Sequence, residues 1–326
     1  MSLRVPTFSI LCAAYQAEDT IGRAVRSVLA QTISDWELIV CDDGSIDGTG
    51  QTALQAAHGD SRVAVIRQDN AGPGAARNTA AAEARGEYYC ILDSDDEMLP
   101  DYLASMESLI EKCPDRDIYS CNARVIDPGG TESIWDSSEA GQGASSLTLS
   151  HLLERNRIFV MATLRAETFA KVDGFDESSA VEDYDLWLKI LAAGGTQAYT
   201  PDVLGVYHRR ADATSASAAD QWHATSRLLL HYARDESLSA HERDTAARSA
   251  RHYEAMAKIA QIDPEAKAHT SRTESYAMLA AYEGLSKRAA GAALITLSPR
   301  LFARVVATRR KEALESRYGN RSGAGL

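Results

Sequence analysis

The sequence predicts an α/β protein: a doubly wound sheet, mixed but mainly parallel, with helices on both faces, followed by an all-α C-terminal region. Up to about residue 98, short apolar runs alternate with segments of helical periodicity, as in sheets whose crossover connections are helices. From about Ala219 onward, apolar residues recur at helical spacing without strand-like runs. We therefore predict a boundary near residue 215, between a first domain (1–215) and a helical region (216–326).

The first strand–helix unit follows from the apolar pattern. The run FSILCAAY (8–15) is continuously apolar and predicts a buried strand. Behind it, Thr20 is a favourable helix N-cap. Apolar residues then recur at helical spacing at Ile21, Ala24, Val25, Val28 and Leu29. A second strand is predicted in WELIVCDDGS (36–45).

The next units repeat the alternation. RVAVI (62–66) predicts a strand, the Ala-rich segment 75–84 a helix, and YYCIL (88–92) another strand. Polar residues follow these strands at Tyr15, Asp42, Asp43, Asp93 and Asp95. Ligands bind beyond the carboxyl ends of parallel strands, so we expect these side chains to converge on one edge of the sheet.

The rest of the chain is less regular. Residues 127–146, rich in Gly, Ser and acids, predict a loop, and a mixed region follows to about residue 210. Several packed helices are predicted from three apolar groups: Trp222, Leu228, Leu229 and Tyr232; Tyr253, Met256 and Ala260; and Met278, Ala281, Tyr282 and Leu285.

Composition narrows the function classes. The 326 residues carry a net charge of −12, which disfavours non-specific binding to nucleic acid and favours metal and small-molecule partners. The five cysteines lack metal-ligand spacing and are expected to be reduced thiols, mostly buried. Neither a signal peptide nor an apolar stretch of the roughly 18 residues that a membrane span needs is recognisable, so we expect a cytoplasmic protein.

Two motifs are suited to a nucleotide, each with a structural alternative. In DDGSIDGT (42–49), acids at a strand-to-helix turn can accept hydrogen bonds from a base and ribose, although the same residues favour a simple turn and helix cap. NAGPGAARN (70–78) places glycines and Arg77 at a helix start, which favours anionic groups. The alternative is a surface arginine on an Ala-rich helix.

Two acidic motifs complete the set. CILDSDD (90–96) ends in Asp93, Asp95 and Asp96; carboxylates this close favour a hard divalent cation, the alternative being a capped turn before Pro100. VEDYDLWLKIL (181–191) predicts an amphipathic helix led by two acids, suited to a general base or simply to the helix dipole.

Six motifs follow one another along the chain: FSILCAAYQAEDTIGRAVRSVLAQ, WELIVCDDGSIDGT, NAGPGAARN, YCILDSDDEMLP, GFDE and EDYDLWLK. As an ordered set, they resemble the family 2 glycosyltransferases over roughly residues 6–215. The resemblance implies their GT-A fold, with a nucleotide half at about 1–98 and an acceptor half at about 99–215.

The resemblance also implies residue roles on the nucleotide side. Asp43 is expected to bind the base, with Asp42 nearby, and the backbone around Ala14 and Tyr15 to line the same pocket. Arg77 is expected to reach the nucleotide as well.

For the chemistry, the resemblance makes Asp95 the direct ligand of Mn²⁺ or Mg²⁺ and Asp93 a contact to ribose or metal, with Ser94 among the donor-binding residues. Asp183 is expected to take the proton from the acceptor hydroxyl, with Glu182 supporting or orienting it.

One element departs from the family. Its members often carry a His in a Tyr-Arg-x-His-like element that completes the metal or diphosphate site, whereas this chain has VYHRRADATS (206–215). Either His208 is a metal ligand, or Arg209 and Arg210 meet the diphosphate, or His208 is an ordinary core or surface residue.

The function implied is inverting, metal-dependent transfer from a nucleotide-sugar donor, UDP-linked, to a saccharide or lipid-linked acceptor in polysaccharide or glycoconjugate synthesis. A nucleotidyltransferase is an alternative, but that class requires a Gly-rich loop with basic residues after the first strand. The segment AAYQAEDT has no such loop. A catalytically silent binding or scaffold protein is another, and intact Asp43, Asp95 and Asp183 count against it.

The C-terminal residues 299–326 carry a local excess of basic charge, with seven basic and two acidic residues. Leu301, Phe302, Val305 and Val306 form an apolar stripe beside those cations. This pattern suits peripheral contact with an anionic inner membrane surface. Alternatively, the stripe packs on other helices or on a second subunit of a homo-oligomer.

Overall fold

The computed structural model describes residues 5–135, 147–209 and 218–262. In these ranges nine strands form one mixed sheet: β1 (Phe8–Ala14), β2 (Trp36–Asp43), β3 (Val63–Gln68), β4 (Tyr88–Asp93), β5 (Glu97–Met98), β6 (Ile118–Ile126), β7 (Glu132–Ile134), β8 (Thr163–Arg165) and β9 (Gln197–His208). The helices described are α1 (Ile21–Leu29), α2 (Thr49–Ala57), α3 (Pro73–Glu83), α4 (Tyr102–Lys112), α5 (Leu149–Glu154), α6 (Ala166–Lys171), α7 (Glu182–Ala192), α8 (Ala218–Ala233) and α9 (Ala240–Ile262).

The sheet confirms the predicted α/β class. Its strand order is β3-β2-β1-β4-β8-β6-β9-β5, with β7 added to β6. The pairs β1–β2, β1–β4, β2–β3 and β6–β9 are parallel, while β8, β7 and β5 pair antiparallel with their neighbours. Helical crossovers connect the N-terminal parallel strands, as the alternation of apolar runs predicts.

Strand register aligns the ends of the central strands. Ala14 of β1 pairs with Asp42 of β2, and Ala13 pairs with Asp93 of β4. On the other side of β2, Asp43 pairs with Gln68 of β3. The polar residues that follow these strands therefore share one carboxyl edge, as predicted.

The core explains why the N-terminal strands read as continuous apolar runs. Phe8, Ile10 and Leu11 of β1 are fully buried, as are Ile91 and Leu92 of β4. Helices or connecting segments cover both faces of a doubly wound sheet, so neither face of these strands needs polar side chains.

Two local expectations change. Residues 132–134, predicted as part of a loop, form β7, whose short antiparallel ladder pairs with β6. Thr20 occupies the N-cap position of α1, but its hydroxyl donates to the Ala17 carbonyl (3.3 Å) instead of accepting from the helix.

The chain divides into two compact units, one of residues 1–214 and 232–246 and the other of 215–231 and 247–326. Both described C-terminal elements are helices, as predicted, and none of the described helices is long and apolar enough to cross a bilayer. The predicted helix around Met278 and the basic segment 299–326 lie outside the described residues. The domain boundary at residue 215 stays a prediction.

Candidate active site

The Asp42 side chain stabilises the loop that follows β2. Asp42 is buried, and its Oδ1 accepts the Ser45 N–H at 2.9 Å while its Oδ2 accepts Arg67 Nη1 at 2.6 Å. Arg67 also donates to the Ser45 carbonyl at 2.6 Å. The Asp42 carboxylate therefore shapes the 42–49 turn from within, which agrees with the structural alternative for this residue.

The Asp43 carboxylate bonds the backbone at the start of α3, where the glycine-rich motif NAGPGAARN lies. Its Oδ1 accepts Gln68 Nε2 at 2.8 Å and the Ala71 N–H at 2.9 Å, and its Oδ2 accepts the Gly72 N–H at 2.9 Å. Free N–H groups and the helix dipole stabilise an anion at this position. The anion bound there in this structure is the chain's own carboxylate.

The end of β1 lies against the same loop. The Gln16 N–H donates to Ser45 Oγ at 3.0 Å, and Gln16 adopts a left-handed φ of 51°. Ala14 is buried, whereas Tyr15 is 43% exposed. Tyr15 thus offers an accessible aromatic side chain beside the turn that contains Asp42.

Three carboxylates meet after β4. One oxygen each of Asp93, Asp95 and Asp96 lie within 4.8 Å of one another, a separation that suits a shared cation. Asp96 is fully buried; its Oδ1 accepts the His208 N–H at 3.0 Å, and its Oδ2 has no hydrogen-bond partner among the described residues. Burial and the nearby Asp93 and Asp95 raise the pKa of Asp96 well above its usual range.

These observations fit a hard divalent ion. Oxygen ligands from two or three carboxylates are what Mg²⁺ and Mn²⁺ prefer. A cation would also satisfy the orphaned Asp96 oxygen and relieve the repulsion within the cluster. Ser94 lies in the turn between Asp93 and Asp95, partly exposed.

His208 reaches the cluster through its backbone. Its ring Nε2 lies 2.7 Å from Glu97 Oε1, and Arg23 Nε lies 3.4 Å from the same oxygen. Arg23 Nη2 also donates to the Asp95 carbonyl at 2.6 Å. The third ligand candidate beside Asp93 and Asp95 is therefore the Asp96 carboxylate. A role of the His208 ring as a metal ligand stays a prediction.

The two arginines after His208 do not resolve that alternative. Arg209 Nη1 donates to Asp127 at 3.1 Å, and Arg210 lies outside the described residues.

Arg77 joins two acidic motifs. Its Nη2 donates to Asp93 Oδ1 at 2.5 Å and its Nη1 to Glu182 Oε1 at 2.6 Å. The side chain is only 4% exposed, so the alternative of a surface arginine is wrong. Its guanidinium also lies 5.3 Å from the centroid of the Phe175 ring.

Asp183 follows Glu182 in the first turn of α7. Burial, with the adjacent Glu182 carboxylate as the next cause, raises its pKa to about 7, while the Arg77 charge and the Tyr184 N–H oppose the rise. A carboxylate whose pKa lies near neutrality can both accept and release a proton at working pH. This property suits a general base.

The segment GFDE leads into α7 and rests on α3. Asn78 Oδ1 accepts the Phe175 N–H at 2.9 Å, and its Nδ2 donates to the Phe175 carbonyl at 3.0 Å. Gly174 has φ of 62°, and a Cβ there would lie 2.7 Å from Asn78 Oδ1. The glycine is therefore required both by the backbone and by the close approach of Asn78.

The three acids that CILDSDD groups in the sequence do lie together in the structure. Sequence reasoning missed two other features, the Arg77 link to Glu182 and the Asn78 contact with Phe175. Both contacts join residues about a hundred positions apart, and no local pattern reports such pairs.

Comparison with known proteins agrees with this architecture. A family model described as glycosyl transferase family 2 matches residues 9–172, about half of the chain. The chain is 36% identical over 218 residues to the succinoglycan biosynthesis protein ExoO of Rhizobium meliloti (strain 1021), covering 64% of this chain and 62% of that protein. It thus spans somewhat less than two thirds of that relative.

A second relative is the Escherichia coli protein WfgD, named UDP-Glc:alpha-D-GlcNAc-diphosphoundecaprenol beta-1,3-glucosyltransferase. The two are 34% identical over 186 residues, covering 56% of this chain and 69% of that protein. Among solved structures, S. aureus TarS 1-349 in complex with UDP-GlcNAc matches 96% of this chain and 92% of that chain, with a TM-score of 0.64 and 19% identity, which bears on the fold alone.

The family model covers every strand that carries the acidic edge, and the fold has the same architecture as the solved neighbours. The chain belongs to glycosyl transferase family 2.

Proposed function

We propose that this chain is an inverting glycosyltransferase that moves a sugar from a UDP-linked donor to a hydroxyl of a saccharide or lipid-linked acceptor. The observation that carries the proposal is that one guanidinium, that of Arg77, bonds both Asp93 of the acid cluster and Glu182 of α7. A site for a cation and a carboxylate with a pKa of about 7 therefore belong to one constellation.

The residues for the cation are Asp93 and Asp95, with Asp96 as the third carboxylate. Mn²⁺ or Mg²⁺ bound there would neutralise the charge that develops on the departing nucleoside diphosphate. Ser94, in the same turn, is proposed to contact the donor.

Asp183 is proposed as the general base. As the acceptor oxygen bonds to the anomeric carbon, the bond from that carbon to the diphosphate oxygen breaks, and the acceptor proton passes to the Asp183 carboxylate. A single displacement from the opposite face inverts the anomeric configuration. Glu182, bonded to Arg77, orients the first turn of α7.

The nucleotide is proposed to bind over the ends of β1 and β2, near Ala14, Tyr15, Asp42 and Asp43. Asp43 Oδ1 already accepts two hydrogen bonds and Oδ2 accepts one, which leaves room for one further donor at Oδ2. Uracil presents a single ring N–H beside two carbonyls, whereas guanine presents adjacent N–H donors that need both oxygens. This acceptor capacity favours uridine over guanosine.

The relatives support the same substrate class. WfgD is named for a UDP-glucose donor and a diphosphoundecaprenol acceptor, and TarS was solved with UDP-GlcNAc. We therefore extend the proposal to polysaccharide or glycoconjugate synthesis, with the protein on the cytoplasmic side of a membrane that holds lipid-linked acceptors.

Donor hydrolysis tests the proposal without knowledge of the acceptor, because water can replace the acceptor hydroxyl. The full chain is incubated with UDP-glucose, UDP-N-acetylglucosamine and GDP-mannose, with Mn²⁺ or with chelator, and products are followed by proton NMR. We expect metal-dependent release of UDP and, from an α-linked donor, of the β-anomer first.

The control is Asp95→Ala, which is expected to lose the effect of Mn²⁺ on UDP affinity while staying folded. Initial release of the α-anomer would overturn inversion, and preference for GDP-mannose would overturn the uridine assignment. Release of a sugar 1-phosphate in place of UDP would identify a nucleotidyltransferase, because nucleotidyl transfer breaks the bond between the two phosphates of the donor. Binding of UDP without any turnover, with a lipid-linked saccharide also supplied, would identify a silent binding protein.

A further inference from the structure

We propose that Arg77 is a positioning residue: it sets the distance between the cation-binding strand end and the first turn of α7, and it does not bind the nucleotide. The proposal rests on the proposed function above, because the two ends that Arg77 joins carry the cation site and the general base.

The first observation is that Arg77 is buried and that each of its terminal nitrogens already bonds a carboxylate. Nη1 and Nη2 each bond a carboxylate at 2.6 and 2.5 Å, and Nε is buried without a hydrogen-bond partner among the described residues. With 4% of the side chain exposed, the guanidinium has little surface to offer a diphosphate. A role as a direct nucleotide contact would require the buried guanidinium to become accessible to the diphosphate.

The second observation is that Arg77 joins two carboxylates that lie far apart in the sequence. Asp93 lies 16 residues from Arg77 along the chain, and Glu182 lies 105 residues away. The planar guanidinium holds its donors in a fixed fork, so it fixes direction as well as distance between two carboxylates. The flexible ammonium of a lysine supplies the charge without this geometry.

The third observation is that the same helix, α3, also holds the segment before α7. Asn78, the next residue in α3, bonds both backbone polar groups of Phe175, and the Phe175 ring lies 5.3 Å from the Arg77 guanidinium. Consecutive side chains of α3 thus fix the approach to α7 and its first residue.

The position of Arg77 also explains how several negatively charged side chains can lie close together here. Asp93, Glu182 and Asp183 each carry or can carry negative charge, and Asp93 and Glu182 both act to raise the pKa of Asp183. The buried Arg77 is the cation that opposes them. Its removal would allow Asp93 and the first turn of α7 to separate by repulsion.

The test uses the full chain with Arg77→Lys, which keeps the charge and loses the fork. The control is Arg85→Lys, the same substitution in an ion pair with Glu37 whose arginine is 51% exposed and joins no second carboxylate among the described residues. Three quantities are measured: UDP affinity in metal-free buffer by calorimetry, kcat and KM for donor hydrolysis, and backbone hydrogen exchange at residues 181–185.

We expect Arg77→Lys to bind UDP within about twofold of wild type in metal-free buffer. Its kcat should fall about a hundredfold, the order expected when reacting groups are misplaced by about 1 Å, and exchange at residues 181–185 should rise. Arg85→Lys should change none of the three.

A loss of metal-free UDP affinity in Arg77→Lys would show a nucleotide contact and overturn the proposal, as would unchanged kcat and exchange. If Arg77→Lys does not fold, Glu182→Ala breaks the link from the other side and is expected to give the same pattern. Hydrogen exchange decides the inference even if the wild-type chain hydrolyses no donor, an outcome that would count against the proposed function alone.

Discussion

The two adjacent acids at the start of α7 differ in their surroundings although the sequence presents them side by side. Glu182 accepts Arg77 at 2.6 Å, whereas the Asp183 carboxylate accepts the N–H of the following residue, Tyr184, at 2.7 Å. Burial and the Glu182 charge raise the pKa of Asp183 to about 7. This difference is the physical reason for assigning the base to Asp183 and the supporting role to Glu182.

Asp183→Asn should bind UDP normally and lose turnover by about a hundredfold to ten thousandfold, because Asn keeps the shape and cannot accept a proton. Calorimetry and donor hydrolysis measure the two quantities. Wild-type turnover in this variant would move the base elsewhere, and Glu182 is the first residue to examine.

The pH dependence of kcat separates the roles further. A base must be deprotonated, so wild-type kcat should rise with pH, with the midpoint of the rise at about 7. Glu182→Gln removes a negative charge that raises the pKa of Asp183, so the midpoint of the rise should move to lower pH. A midpoint that stays in place or moves to higher pH would contradict this coupling.

At the scale of elements, α3 supports the reaction although it contributes no group to it in our proposal. Its N-terminus binds the Asp43 carboxylate through the Gly72 N–H, and Arg77 and Asn78 hold Asp93, Glu182 and the segment at Phe175. Three sites separated in sequence therefore depend on one helix of eleven residues.

Asn78→Ala tests this dependence. It leaves the N–H and C=O of Phe175, a buried residue, without their partner, so the free energy of unfolding should fall by about 1–3 kcal/mol. Urea unfolding measures the loss, and kcat should fall with it. Asn78→Asp keeps an acceptor for the Phe175 N–H but sets a carboxylate oxygen against the Phe175 carbonyl and against Glu177, so it should not restore the stability. Wild-type stability in Asn78→Asp would contradict the hydrogen-bond argument.

At the scale of the whole molecule, charge is unevenly distributed along the chain. The net charge is −12, yet residues 299–326 carry seven basic and two acidic residues. This segment lies outside the described residues, so its proposed membrane contact rests on sequence pattern alone.

Co-sedimentation with vesicles measures that contact. The full chain should pellet with vesicles containing an anionic phospholipid at low salt and less so at high salt, because exposed charges are screened. A variant with Arg309, Arg310 and Lys311 changed to Gln should remain more in the supernatant. If both proteins stay in the supernatant at low salt, the basic segment does not dock on membranes, and packing on helices or on a second copy becomes the explanation.

The sequence by itself determined the α/β class, the order of its N-terminal strands and helices, and the edge on which the acids converge. These follow from local periodicity and from the rule that ligands lie beyond the carboxyl ends of parallel strands. The predicted bounds of strands and helices agree closely with the structure. The run predicted as a strand at 36–45 is β2, Trp36–Asp43, and the Ala-rich helix predicted at 75–84 is α3, Pro73–Glu83.

Only the tertiary structure decided which of these acids meet and which are already bonded. Asp42 and Asp43 look alike in DDGSIDGT, but one closes its own turn and the other binds the start of α3. Asp96 is buried within its cluster, and its Oδ1 accepts the His208 N–H at the end of β9. The sequence does not report the link from Arg77 to Glu182, because a contact across 105 residues depends on chain crossings that no local pattern encodes.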